Sequence, residues 1–217
     1  MYGIEHILSP LSAGWPAWVM LALLLCVVLA EFSQPGLVTQ AHTSLTAQSD
    51  RMYKEAPDNL FGQTLIALFR IGTPSLGLYM CLPGAGPFSL KTYLALCGVL
   101  LGTVLVKMAL HQVLSYTFRL RNRVSASYEH YGNLATLTVL ALYPAILILL
   151  RLGDTEATLW TLGIAAAFFV GMWVYRSARI LIAGPADILY YALYIGTLEV
   201  LPIAGVYFAA KKLIMTL

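Results

Sequence analysis

Long apolar runs are the feature that most constrains this chain. A helix that crosses a bilayer needs roughly 20 mostly apolar residues, and six stretches meet that requirement. Hydrophobic residues make up 59% of the 217 residues and charged residues only 11%, whereas a soluble domain is about 25% charged. The chain is therefore predicted to be an all-α polytopic transmembrane helix bundle, a single membrane domain with spans at about 15–32, 60–82, 91–112, 133–151, 157–176 and 187–210.

Basic residues in the connections predict the orientation of these spans, because Lys and Arg are enriched on the cytoplasmic side. One side carries Arg51, Lys54, Arg119, Arg121, Arg123, Arg176 and Arg179, and the other carries Lys91, Arg151, Lys211 and Lys212. We expect the first side to be cytoplasmic, which makes connections 33–59 and 113–132 cytoplasmic juxtamembrane helical segments. Both termini then lie outside, although the C-terminal lysine pair favours an inner C-terminus if the sixth span is re-entrant.

The connection after the third span interleaves arginines with aromatic residues. Arg119, Arg121 and Arg123 alternate there with tyrosine and phenylalanine. This mixture is typical of helices at the membrane interface, where Arg meets lipid phosphates and aromatic rings lie at headgroup level. We interpret the three arginines as headgroup contacts, with docking of a partner protein as the alternative.

Two ionisable residues fall near the middle of predicted spans, Arg70 in the second and Glu199 in the sixth. Each costs ~2.5–3.5 kcal/mol at a helix centre, so neither is expected to face lipid unpaired. Counted from Asn59 and Asp187, the two residues lie ~16 and ~18 Å deep at a rise of 1.5 Å per residue. Because both spans run in the same direction, we predict that Arg70 pairs with Glu199. This pair is either architectural, fixing the packing of the helices, or part of a coupling-ion or proton site.

Prolines accompany these charges. Pro74 and Pro202 each follow a mid-span charge by three or four residues, and Pro144 lies within the fourth span. A proline inside a helix removes one backbone hydrogen bond and kinks the helix. We therefore predict three kinks whose freed carbonyls need other partners.

Lys107 lies close to the cytoplasmic end of the third span. A lysine at that depth can extend its ammonium group to the interface, or it can pair with an acidic residue at the same level. Asp187 is the predicted partner, with Glu31 as a further candidate at similar depth.

Small residues at four-residue spacing mark two spans. Gly98 and Gly102 lie in the third, and Gly163, Ala167 and Gly171 lie in the fifth. Small residues let helices approach closely in lipid. We predict that both stripes pack within the bundle; a homodimer seam is the alternative.

Catalytic, metal-binding and nucleotide-binding motifs are missing from the sequence. No H-E-x-x-H, G-x-S-x-G or Walker A pattern is present, and the four histidines lie in connections or near span ends. The net charge of +3 is too small and too dispersed for nucleic-acid binding. We therefore expect no cofactor, no metal and no catalytic residue, and the lipid bilayer and other membrane subunits as partners.

A stretch near the C-terminus carries a family resemblance. The sequence YIGTLEVLP, preceded by tyrosines and followed nine residues later by a lysine pair, resembles the C-terminal signature of a family of bacterial integral membrane proteins described as domain of unknown function 4271. The resemblance implies a bacterial inner-membrane location in Gram-negative cells, and it links Thr197, Glu199 and Pro202 as one feature. It implies no activity, cofactor or catalytic residue.

The expected function follows from abundant apolar surface and two substantial cytoplasmic segments. We expect a non-catalytic accessory or assembly subunit of a larger envelope complex, such as protein export or membrane-insertion machinery. The alternative is a small proton- or ion-coupled transporter that uses Glu199 and Arg70. A membrane-embedded enzyme acting on lipid has only His111, His130 and the arginines to offer.

Overall fold

The computed structural model describes residues 14–46, 59–82, 89–117 and 121–182, together with Ile188, Tyr191, Ala192 and Gly196. In these residues all regular secondary structure is helical. The elements are α1 (Trp15–Ser33), α2 (Leu37–Thr46), α3 (Leu60–Met80), α4 (Leu90–Thr117), α5 (Arg121–Leu152) and α6 (Thr155–Leu181). The predicted fold class, an all-α transmembrane helix bundle, is confirmed.

Four of these helices are long and apolar enough to cross a membrane, over Trp15–Ser33, Leu90–Val113, His130–Leu152 and Thr155–Arg179. They coincide with the first, third, fourth and fifth predicted spans. The second predicted span is α3, whose 21 residues extend ~30 Å but include Arg70. The sixth lies mostly outside the described residues, so the number of six spans stays a prediction.

Helix α3 occupies the centre of the described bundle, in contact with α1, α4, α5 and α6. Two of its glycines let neighbours approach closely. A Cβ added at Gly72 would lie 2.5 Å from Leu23 Cδ2 of α1, and one added at Gly77 would lie 2.9 Å from Leu162 Cδ2 of α6. Close packing of side chains against a glycine backbone stabilises helix association in lipid, where burial of apolar surface contributes little.

Polar side chains fix the connections between α1, α2 and α3. The Glu31 carboxylate accepts hydrogen bonds from the backbone N–H groups of Gly36 (2.7 Å) and Val38 (3.2 Å), at the start of α2. Gly36 has a φ of 87°, a conformation that favours glycine. Asn59, which caps α3 through Phe61 N–H, also donates to the Ser33 carbonyl (3.0 Å). The end of α1 is thereby joined to the start of α3.

The two predicted juxtamembrane segments contain helix. Connection 33–59 includes α2, which packs against α5. In segment 113–132, α4 continues to Thr117 and α5 begins at Arg121, nine residues before its apolar span. Both helices therefore extend beyond the apolar windows, and the predicted helical character of these segments agrees with the fold.

Candidate functional site

Arg70 reaches from α3 to α5. Its Nε donates a hydrogen bond to the Thr136 hydroxyl (2.8 Å), and that hydroxyl donates to the Gly132 carbonyl (2.9 Å). A Cβ added at Gly132 would lie 3.3 Å from Arg70 Nη1. The half-buried guanidinium therefore lies against the α5 backbone, at the place where a missing side chain makes room for it.

Lys107 is buried on α4, with 6% of its surface exposed. Its Nζ lies 3.8 Å from the centre of the Tyr131 ring and 5.6 Å from that of Trp173. Tyr131 meets Trp173 and Phe169 edge to face, each with ring centres 5.1 Å apart. A cation over an aromatic face is attracted by the ring quadrupole. The ammonium group thus lies among aromatic rings, and its position relative to the membrane interface stays a prediction.

The two basic groups meet consecutive residues of α5. Lys107 covers Tyr131, and the guanidinium of Arg70 lies at Gly132. His111, one turn beyond Lys107 on the same face of α4, is only 4% exposed. Tyr131 is the second residue of the apolar window of α5, so the contacts of Arg70 and Lys107 with α5 lie near one end of that window.

Tyr191, one of the few described residues after α6, contacts this region. Its hydroxyl donates to the Val174 carbonyl (2.6 Å) and lies 2.9 Å from Ser177 Oγ, both on α6. Its ring packs on the cluster formed by Leu134 and Trp173. Trp173 is 1% exposed, and its Nε1 has no hydrogen-bond acceptor in the described structure.

None of the predicted acidic partners of Arg70 and Lys107 is observed in contact with them in the described residues. Glu199 and Asp187 lie outside the described residues, so the Arg70–Glu199 and Lys107–Asp187 pairs stay predictions. Glu31, the further candidate for Lys107, uses both carboxylate oxygens at the start of α2.

Two of the three predicted kink prolines lie inside described helices, Pro74 in α3 and Pro144 in α5; Pro202 lies outside the described residues. Near Pro74, the Tyr93 hydroxyl donates to the Gly72 carbonyl (3.3 Å). Beside Pro144, the Tyr143 hydroxyl donates to the Met20 carbonyl (2.9 Å). A tyrosine of α4 thus bonds a backbone carbonyl of α3 close to Pro74. The tyrosine next to Pro144 bonds a backbone carbonyl of α1.

The predicted glycine stripes face away from the described helices. Gly98, Gly102, Gly163 and Gly171 have no described neighbour within 4 Å of an added Cβ, and Ala167 is exposed. Packing at these stripes stays a prediction. The close approaches at Gly72 and Gly77 were missed from the sequence, although the small residues of GTPS, 72–75, signal them.

The arginines of the predicted interfacial segment are placed only in part. Arg121 and Arg123 belong to the first turn of α5, and Arg119 lies outside the described residues. Over the ranges that the structure describes, no group of three or more His, Cys, Asp or Glu side chains could hold a metal ion. Cys26, Cys81 and Cys97 are free thiols.

The comparisons with known proteins decide the family. The family model described as domain of unknown function (DUF4271) matches residues 17–209. The chain belongs to this family. The match includes α1 from residue 17 onwards, all of α2 to α6, and the YIGTLEVLP stretch. No curated protein and no solved structure matches the chain.

Proposed function

We propose that this chain is a non-catalytic accessory or assembly subunit of a larger complex in the bacterial inner membrane, such as protein export or membrane-insertion machinery. The observation that carries the proposal is a helical platform at one end of the bundle. It consists of α2, the end of α4 at 114–117 and the start of α5 at 121–129. By the distribution of basic residues, this end is cytoplasmic.

The platform is connected to the rest of the described fold. Residues 121–129 precede the apolar window of α5 and extend it by ~13 Å, beyond the level at which a bilayer core needs apolar side chains. Helix α2 is held by the Glu31 carboxylate and packs against α5. A helical segment held against the bundle offers a partner a defined backbone, and pre-organisation of this kind lowers the entropic cost of binding.

Photo-crosslinking in living cells tests the proposal. A photoreactive phenylalanine analogue replaces Tyr116, which is 90% exposed and lies at the platform end of α4. We expect it to form an adduct with a distinct polypeptide. The matched control is Trp160, another aromatic residue that is 66% exposed but lies in the first turns of α6, at the opposite end of the bundle.

The two positions separate partner docking from general lipid exposure. An adduct from Tyr116 and none from Trp160 supports a partner at the platform. Equal labelling at both positions by many proteins, or no adduct at either, contradicts it.

A small proton- or ion-coupled transporter is the second candidate function. It is favoured by the burial of Lys107 and the position of Arg70 against α5, because ionisable residues inside a membrane mark ion pathways in transporters. This function predicts that Glu199→Gln abolishes a pH-dependent flux in proteoliposomes while the thermal stability stays unchanged. If Glu199→Gln lowers the thermal stability and the wild-type protein shows no flux, the result favours the subunit function.

A further inference from the structure

One hydroxyl group on the central helix has no hydrogen-bond partner. Thr73 on α3 is fully buried, and its Oγ1 meets no donor or acceptor in the described structure. Other threonines in the spans bond a carbonyl of their own helix, as Thr103 does with Val99 (2.8 Å). Because an unpartnered hydroxyl is costly to bury, native proteins provide such a group with a partner.

Pro74 follows Thr73 directly and changes the hydrogen bonding of α3. A proline has no backbone N–H, so Pro74 cannot donate to the Arg70 carbonyl four residues before it. The hydroxyl of a helical threonine reaches towards the carbonyls three and four residues back, and for Thr73 the first of these is the Arg70 carbonyl. A carbonyl oxygen has two lone pairs, so it accepts a further donor whatever else the residue contacts. The unpartnered hydroxyl is therefore close to a carbonyl that receives no backbone donor from residue 74.

The side of α3 that carries Thr73 faces α5. Phe69 and Gly77 lie one helical turn before and after Thr73, on the same face. The ring centres of Phe69 and Tyr143 are 5.8 Å apart, and a Cβ added at Gly77 would lie 3.1 Å from Ile146 Cδ1. Since α5 covers this face on both sides of Thr73, neither lipid nor bulk water reaches the hydroxyl. Its partner has to be enclosed within the bundle.

We propose that one water molecule is bound beside Pro74, where it accepts a hydrogen bond from the Thr73 hydroxyl and donates one to the Arg70 carbonyl. Ordered waters are among the groups that satisfy carbonyls freed by prolines in membrane helices, and a buried water is typically held by about two to four hydrogen bonds. The water joins the two turns of α3 around Pro74 in place of the missing backbone bond. It does so in the helix that α1, α4, α5 and α6 all contact.

Thermal unfolding of the purified full-length Thr73→Val variant tests the proposal, because valine has nearly the shape of threonine without the hydroxyl. If the hydroxyl holds a water, the substitution removes a hydrogen bond from each end of the bridge, and we expect Tm to fall by roughly 2–12 °C. If the hydroxyl has no partner at all, the same substitution deletes a costly buried group and Tm rises. The direction of the change decides between the two.

Thr103→Val is the matched control for this experiment. The Thr103 hydroxyl bonds its own helix, on α4, and its loss is expected to change Tm by less than about 2 °C. A fall for Thr73→Val as small as that of the control contradicts a bound water.

A double-mutant cycle with Pro74→Ala connects the water to the proline. Alanine supplies the N–H that the Arg70 carbonyl accepts in a regular helix, so we expect the effect of Thr73→Val to shrink by more than half in this background. Pro144→Ala makes the same backbone change on α5 and is expected to leave the effect of Thr73→Val as it is. Should a proline variant fail to accumulate, an experimental map of the wild-type protein serves instead. Water density about 2.7–3.2 Å from both Thr73 Oγ1 and the Arg70 carbonyl oxygen is then the expected result.

Three results would overturn the proposal. One is a Tm for Thr73→Val equal to or above that of the wild-type protein. Another is an effect of Thr73→Val that is the same with Pro74 and with Ala at that position. The third comes from comparing sodium chloride with choline chloride at equal ionic strength: water predicts equal Tm values, whereas a sodium-dependent rise that Thr73→Val abolishes would assign a cation.

Discussion

The close approach of α1 to α3 at Gly72 gives the sharpest stability prediction. In Gly72→Ala, the new Cβ would lie 2.5 Å from Leu23 Cδ2, 3.3 Å from Leu23 Cδ1 and 3.0 Å from the Tyr93 hydroxyl oxygen. Carbon atoms normally approach to about 3.5–4.0 Å, so Leu23 has to move by roughly 1 Å. It is buried and packed in one cluster with Phe69 and Val139, which restricts that movement.

Overpacking of a filled core costs ~1–3 kcal/mol. For a chain of this length, each kcal/mol corresponds to ~2–4 °C in Tm, so we expect Gly72→Ala to unfold ~2–12 °C below the wild-type protein. The assay is thermal unfolding of the purified protein in one detergent, and the readout is the loss of the folded peak on size exclusion. Adding Leu23→Ala to the same chain is expected to destabilise it by less than the sum of the two single changes.

Gly98→Ala is the matched control for this experiment. Gly98 is exposed on α4, and no described atom lies within 4 Å of its added Cβ. The substitution is expected to leave Tm unchanged, or to raise it slightly because alanine is the better helix former. If Gly72→Ala and Gly98→Ala have equal Tm values, the central position of α3 is wrong.

Three further predictions rest on individual hydrogen bonds. Thr136→Val removes the acceptor of Arg70 and is expected to cost ~1.5–3 kcal/mol in unfolding free energy, whereas Thr138→Val removes a hydroxyl that bonds only its own helix and changes stability by less than ~0.5 kcal/mol. Tyr143→Phe removes the side-chain hydrogen bond from α5 to the Met20 carbonyl of α1 and is expected to cost ~1 kcal/mol. Glu31→Gln weakens the start of α2 by ~0.5–2 kcal/mol, seen as faster hydrogen exchange over 37–46 with little change elsewhere.

Each of these predictions has an outcome that contradicts it. Equal Tm values for Thr136→Val and Thr138→Val would contradict the hydrogen bond between Arg70 and Thr136. Tyr143→Phe is compared with Tyr175→Phe, an exposed tyrosine on α6, and equal behaviour of the two contradicts the bond to α1. For Glu31→Gln, uniform acceleration of exchange along the chain argues that the carboxylate stabilises the whole bundle and not α2.

The outer helices could be predicted from the sequence because lipid imposes a simple requirement. A lipid-facing helix needs a continuous apolar run, and α1, α4, α5 and α6 each have one. The predicted span at 60–82 also coincides with α3 at Leu60–Met80. Its position at the centre of the described helices could not be predicted, since that depends on contacts with four other helices.

The surroundings of Lys107 and the close approaches at glycine could not be predicted from the sequence. Lys107 had a predicted acidic partner, but the aromatic rings around it come from α5 and α6, and their register relative to α4 is set by packing. Four-residue glycine spacing does not say which face of a helix is buried. Gly72 and Gly77, five residues apart, were missed for this reason, while Gly98 and Gly102 face away from the described helices.

We propose above all that this membrane bundle works as one subunit of a larger assembly. The most direct measurement is the native mass of the epitope-tagged chain, expressed at its natural level and released from membranes in a mild detergent. We predict a species well above the 23.7 kDa of one chain, containing a second polypeptide at a fixed ratio. A species of 23.7 kDa, or one built only from copies of this chain, would contradict the claim.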